Sequence, residues 1–210
     1  MIRVLTALAA AALLALPSTA SAARRDCWPK GTQTLKQSDH ARVWQVDLGD
    51  ERRTYGCLYR TGRRVALDQF SSGGQAYKDS EPPYRLAGRY VAQKAAYVPG
   101  EAYQGWEYGM DVIDLRTGRL VRAAGYAWND GEEYDPETPP RPGFRSMVLT
   151  SSGLLGWIST YSGEDQAWRL DSRGAKRLDR APSRSLRSLH AADGRLEWTN
   201  AGVRKRASFR

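Results

Sequence analysis

Few side chains in this 210-residue chain are of a type and spacing that could do chemistry. His40 and His190 are the only histidines, and neither stands at a metal-ligand spacing from other ligands. No G-x-S-x-G elbow exposes a nucleophilic serine. Ser71-Ser72-Gly73-Gly74 lacks the lysine and the following helix of a phosphate-binding loop. Two carboxylates could serve a glycosidase, but nothing in the spacing pairs any two of them. These residues favour binding over catalysis, and a secreted hydrolase of envelope polysaccharide is the alternative.

Cys27 and Cys57 are the whole cysteine inventory, and whether they pair depends on compartment. Arg3 precedes an apolar run from Val4 to Leu16 interrupted only by Thr6. Pro17 ends it, and Ser18-Thr19-Ala20-Ser21-Ala22 offers an A-x-A cleavage pattern before Ala23. This layout predicts a cleaved signal peptide over residues 1–22 and a secreted mature chain, 23–210, of single-domain length. The apolar run is shorter than the roughly 20 residues that cross a bilayer. Cys27 follows too late for a lipobox, and Arg24-Arg25 lies after the apolar run, unlike a twin-arginine signal. No second apolar stretch approaches membrane length, so a released or peripheral protein is expected. In an oxidising compartment two cysteines allow one intrachain pairing. A Cys27–Cys57 disulfide would pin the new N-terminus to the first strands.

Three groups of residues are candidates for binding. Asp130, Glu132, Glu133 and Asp135, followed by Glu137 and a proline-rich stretch, form an acidic loop. Clustered carboxylates can wrap Ca²⁺, although the spacing fits no EF-hand-type loop and a solvated acidic loop needs no ligand. Calcium is the one cofactor the sequence suggests. Tyr103, Trp106 and Tyr108, with Trp128 and Tyr134, place aromatic rings in two loops, 97–109 and 126–143, where they could contact a sugar or a protein. Trp157, Trp168 and Trp198 stand at strand positions and are expected to fill the core.

The third group is basic. The chain carries a net charge of +9, and residues 173–210 hold 11 Lys/Arg against Asp179, Asp193 and Glu197. Arg184, Arg187, Arg195, Arg204, Lys205 and Arg206 are the candidates for a polyanion. Outside the cell the polyanions are teichoic acids, acidic polysaccharides, anionic lipid or shed DNA. A protein or polysaccharide at the envelope is expected ahead of nucleic acid. Arginine is also abundant throughout, so the same excess can be a solvated surface.

The elements that must position these residues are strands. Short runs of β-branched and aromatic residues, set off by Gly, Pro, Asp and Ser, predict an antiparallel all-β domain. The expected strands are 42–46, 55–60, 64–68, 90–97, 110–115, 120–127, 146–150, 154–160, 166–171, 195–198 and 203–209. In the last pair, Leu196 and Trp198 share one face while Arg195, Glu197 and Thr199 share the other. A repeat underlies the pattern. Cys57-Leu58-Tyr59-Arg60-Thr61-Gly62-Arg63 resembles Ile113-Asp114-Leu115-Arg116-Thr117-Gly118-Arg119 and Arg169-Leu170-Asp171-Ser172-Arg173-Gly174-Ala175. A second set of turns ends at Gly88, Gly153 and Gly194, each before a strand.

Segments 84–126, 144–180 and 183–210 resemble blades of the WD40-like or TolB-like β-propeller repeats of secreted bacterial proteins. Gly153-Leu154-Leu155-Gly156-Trp157 and Asp114-Leu115-Arg116-Thr117-Gly118 carry the likeness most clearly. The ending Leu196-Glu197-Trp198-Thr199-Asn200-Ala201-Gly202-Val203 is similar to a last repeat, and 41–70 is a fourth, decayed unit. The resemblance implies repeated four-stranded sheets in a small or incomplete propeller, with binding on loops. A β-sandwich is the alternative architecture.

Overall fold

A computed structural model describes residues 26–49, 51–70, 76–99, 107–125, 143–161 and 163–210, with backbone alone at 69–70, 76–81, 96–99 and 107–108. Among these residues sixteen strands form four antiparallel sheets. The first sheet holds β1 (Gln33–Gln37), β2 (Ala41–Asp47), β3 (Arg52–Leu58) and β4 (Arg64–Ala66). The second holds β5 (Gln69–Phe70), β6 (Ala76–Ala87), β7 (Tyr90–Pro99), β8 (Glu107–Asp114) and β9 (Arg119–Gly125). β10 (Gly143–Leu149), β11 (Leu155–Tyr161), β12 (Glu164–Asp171) and β13 (Gly174–Pro182) make the third. β14 (Leu186–Ala192), β15 (Arg195–Asn200) and β16 (Val203–Ser208) make the fourth. In every sheet spatial order equals chain order, so each is a meander.

The sheets stack because their middle strands are apolar on both faces. In the second sheet Val91 and Ile113 pack with Val43, Leu58 and Val65 of the first. The alternate residues Tyr90, Ala92, Met110 and Val112 pack instead with Met147, Leu155, Trp157 and Leu170 of the third. Ile158 and Ala167, on the far side of the third sheet, meet Leu186, Leu196 and Trp198 of the fourth. Three successive cores thus join four sheets in chain order, the face-to-face arrangement of propeller blades. Among the described residues no core cluster joins the first sheet to the fourth.

Two strand glycines set how closely the sheets approach. A Cβ at Gly56 of β3 would overlap the Leu115 side chain in the β8–β9 turn of the second sheet. One at Gly156 of β11 would overlap Leu196 of the fourth. Each glycine is the hole that receives a leucine from the next sheet.

The repeat read from sequence corresponds to equivalent hairpins. Gly62 and Gly118 lie in the β3–β4 and β8–β9 loops, and Gly174 opens β13, all three with positive φ. Their equal spacing nevertheless spans unequal turns. Asp114 pairs with Arg119 across a four-residue loop, whereas Asp171 pairs with Gly174 across two residues.

The expected strands all recur with shifted ends, and β1, β5, β6, β13 and β14 are additional. β1 is polar at most positions and mostly exposed. β6 carries Pro82-Pro83, which cannot donate to a ladder, and these residues fall within the register shift between Glu81 and Arg85. β13 has only one buried residue, Ala181. β14 is broken by a bulge that hides its alternation.

A basic face on the fourth sheet

The fourth sheet has one face in the core and one outside it. Leu196 and Trp198 of β15 point to the third sheet and are buried. Residues paired directly across antiparallel strands share a face. The outer face therefore forms three rows: Ala192, Arg195 and Ser208; then His190, Glu197 and Arg206; then Arg187, Thr199 and Arg204.

One irregularity makes this grid. Arg187 pairs with Thr199 and His190 with Glu197, so β14 advances three residues while β15 advances two. The additional residue is accommodated at a β-bulge where Ser188 adopts φ 56°. The bulge turns Leu189 inward to the core and returns His190 to the outer face beside Arg187.

The strands are fixed to the third sheet by buried or partly buried polar side chains. Asp165, with no exposed surface, accepts the backbone N–H of Leu186 at the start of β14 at 3.2 Å. The same carboxylate takes Arg145 Nη1 and Thr160 Oγ1, each at 2.8 Å. Asp179 Oδ2 accepts Trp198 Nε1 at 2.7 Å and Asn200 Nδ2 at 3.0 Å, which holds β15. At the end of β16, Arg169 Nη1 donates to the Ser208 carbonyl, and Asp171 Oδ2 accepts the Arg210 N–H at 3.0 Å. These carboxylates are consumed in positioning the sheet.

Glu197 is the single carboxylate of the grid. Its Oε2 accepts Arg204 Nε at 3.1 Å and Arg204 Nη2, and lies 3.0 Å from His190 Nε2. Hydrogen bonding to Arg204 holds the Glu197 pKa below the usual glutamate value, with partial burial opposing it and the charges of Arg204 and His190 reinforcing it. Arg187 Nε donates to the Arg184 carbonyl at 3.1 Å. Among the described residues Arg195 and Arg206 have no carboxylate or hydrogen-bond partner on their side chains. Four guanidiniums and an imidazole thus surround one carboxylate, and Arg187, His190, Arg195, Arg204 and Arg206 are all exposed.

Sequence reasoning reached four of these five side chains. It also included Lys205 and Arg184, which the structure places elsewhere. Lys205 pairs with Trp198 and so projects from the opposite face of β16. Arg184 lies in the β13–β14 connection at φ 70°. His190 joins the face only through the bulge, because three residues from Arg187 a period of two would place it on the opposite face. The alternation of β15 places Glu197 on the face of Arg195 and Thr199, and the register adds that it sits among the guanidiniums.

The other candidates fall differently. Cys27 and Cys57 form a disulfide, both buried, with Cα atoms 5.5 Å apart. Trp157 and Trp198 fill cores, and Trp168 stacks on Trp157 with centroids 5.9 Å apart. The backbone of Tyr108 lies in β8 opposite Ala96. Tyr103, Trp106, Trp128 and Tyr134 lie outside the described residues, as do Asp130, Glu132, Glu133 and Asp135 and the whole segment 1–25. Among the described residues no three His, Cys, Asp or Glu side chains converge as metal ligands, and no helix is long and apolar enough to cross a membrane. Compared with known proteins, the chain matches no family model and no curated sequence.

Proposed function

We propose that this protein is an exported, non-enzymatic binding domain whose fourth sheet grips a phosphate-bearing polymer at or outside the cell envelope. One observation carries the reading: an uncovered sheet face with four guanidiniums to one carboxylate. Arginine rather than lysine supplies those charges, and its planar fork matches phosphate oxygens two at a time. At about 4.8 Å between strands and about 3.4 Å per residue, the grid is a strip about 10 Å wide and under 20 Å long, a shape suited to an extended chain. None of its nine positions is Phe, Trp, Tyr or Leu, the anchors that a lipid-docking face carries. The signal-like N-terminus and the disulfide support export. The stacked meanders are compatible with the propeller-like repeats that the sequence resembles.

Binding of labelled long-chain inorganic polyphosphate, measured against salt, tests this. The wild type should bind with a steep inverse salt dependence. Arg195→Ala/Arg206→Ala should weaken binding by tenfold or more and flatten the log–log slope by about 1.4–1.8. Lys205→Ala removes one charge from the same strand but the other face and should change little. Poly(glycerol phosphate) and DNA, as competitors, separate an envelope polymer from nucleic acid. Binding that ignores salt, or a Lys205→Ala loss equal to that of the double variant, would sink the proposal.

A further inference from the structure

The lone acid of the basic face occupies its centre. Glu197 stands on the middle strand, directly opposite His190 on one side and Arg206 on the other. All of its contacts converge on one oxygen, Oε2, which takes Arg204 Nε, Arg204 Nη2 and His190 Nε2. Nε and Nη2 make up one edge of the guanidinium, an edge with which arginine grips an oxyanion at two points. Arg204 is therefore turned inward onto Glu197. Its side chain is nevertheless 73% exposed, whereas that of Glu197 is only 12% exposed beneath it. Arg195 and Arg206, diagonal neighbours with Cβ atoms about 7 Å apart, lack partners among the described residues.

We infer that Glu197 is an internal stand-in for the ligand's anionic group, occupying the gripping edge of Arg204 until a phosphate replaces it. The inference rests on the polyanion reading of this face. In the free protein Arg195 and Arg206 are open, Arg204 is closed on Glu197, and Arg187 Nε is held by the Arg184 carbonyl. A phosphate entering at Arg195 and Arg206 places the next group of the polymer within reach of Arg204 and His190, where it exchanges with Glu197. The exchange breaks the Arg204–Glu197 contacts and forms Arg204–phosphate contacts in their place, with no covalent step. The released carboxylate then faces an anion, so Glu197 lowers affinity for every ligand. Weakly charged ligands, which cannot offset that repulsion, are excluded first.

The test uses wild type, Glu197→Gln and Glu197→Asp with labelled inorganic polyphosphate across a salt series, each variant first shown by its melting curve to be folded. Glu197→Gln should bind about five-fold tighter, with a salt slope steeper by about one as Arg204 gains a phosphate contact. Glu197→Asp keeps the charge but is one methylene shorter, so it releases Arg204 and should gain part of that increase. If Glu197→Gln binds no better than wild type, Glu197 is a strut that positions Arg204, and the inference falls while the proposed function stands. If Glu197→Gln gains but Glu197→Asp does not, net charge alone explains the effect and the stand-in role is refuted. If no form binds polyphosphate, both proposals fall together. Binding by Glu197→Gln alone would support the inference in its strongest form, with Glu197 closing the face.

Discussion

The two end faces of the stack use arginine in opposite ways. On the outer face of the first sheet, Trp44, Tyr55, Cys57 and Tyr59 are covered by the segment around Cys27. Arg42, 2% exposed, lies there with its guanidinium 4.0 Å from the Trp28 ring and 5.5 Å from the Trp44 ring. Its donors go to the Cys27 carbonyl at 2.9 Å, Thr34 Oγ1 at 2.9 Å and Thr32 Oγ1 at 3.2 Å. Burial pulls its pKa down from the ordinary arginine value, partly opposed by Tyr59. On the fourth sheet the arginines are exposed, and two of them lack any acceptor among the described residues. An arginine becomes structural where the chain supplies acceptors and aromatic planes, and stays open to a ligand where it supplies neither. The difference also bears on ring closure. One end face is already covered and the other is a field of like charge, so neither offers an apolar surface to the other.

If this contrast holds, removing a large side chain from the covered face should have the greatest effect on stability. Trp44→Ala deletes a ring that is 1% exposed and should cost about 3–5 kcal/mol in urea unfolding. Arg206→Ala, in the middle row of the open face, should stay within about 0.5 kcal/mol of wild type. Comparable losses at the two sites would break the comparison.

The disulfide should come next. Cys27 and Cys57 are 30 residues apart, and closing a loop of that length is worth about 3–4 kcal/mol on the chain-entropy account. Cys27→Ala/Cys57→Ala should lose roughly that amount while polyphosphate binding by the folded protein is unchanged. A loss of binding in the folded variant would mean that the two ends of the stack are coupled.

A smaller effect is expected at Gly156, which sharpens the comparison from inside. Its added methyl in Gly156→Ala would strike Leu196, whose strand carries the basic face on its other side. Overpacking of this kind costs about 1–3 kcal/mol. Measured by melting temperature, the loss should exceed that of any single substitution on the outer grid. An equal or smaller loss would mean that the third and fourth sheets are not closely packed.

How much of this was legible depended on whether a strand kept its alternation. β15 reads directly, because Leu196 and Trp198 alternate with Arg195, Glu197 and Thr199 over an unbroken run. The Cys27–Cys57 pairing was legible for a simpler reason, since two cysteines have one partner each. β14 was not legible. Its bulge at Ser188 places Arg187 and His190 three residues apart on one face, and a period of two never brings them together. β1 and β13 escaped because edge strands bury little and so carry little apolar signal. The site is thus half visible from sequence: the charges on β15 and β16 are readable, but the row through His190 needs the register.

The smallest effect concerns the one ion-paired acid of the open face. Arg204 and His190 hold the Glu197 carboxylate below its ordinary range, so Glu197 stays charged in the folded protein at pH values where an unfolded glutamate takes up a proton. For a depressed pKa the sign is fixed: the contribution is fully present above about pH 4.3, the unfolded value, and is lost as pH falls through the folded one. The melting temperature of wild type relative to Glu197→Gln should therefore decline as the solution is acidified below about pH 4.3. Because Arg204 is well exposed, solvent screening keeps the difference small, and added salt should shrink it further. A difference that failed to decline there would mean that Glu197 is held by something other than Arg204 and His190. The contrast between the two end faces would then lose its electrostatic basis.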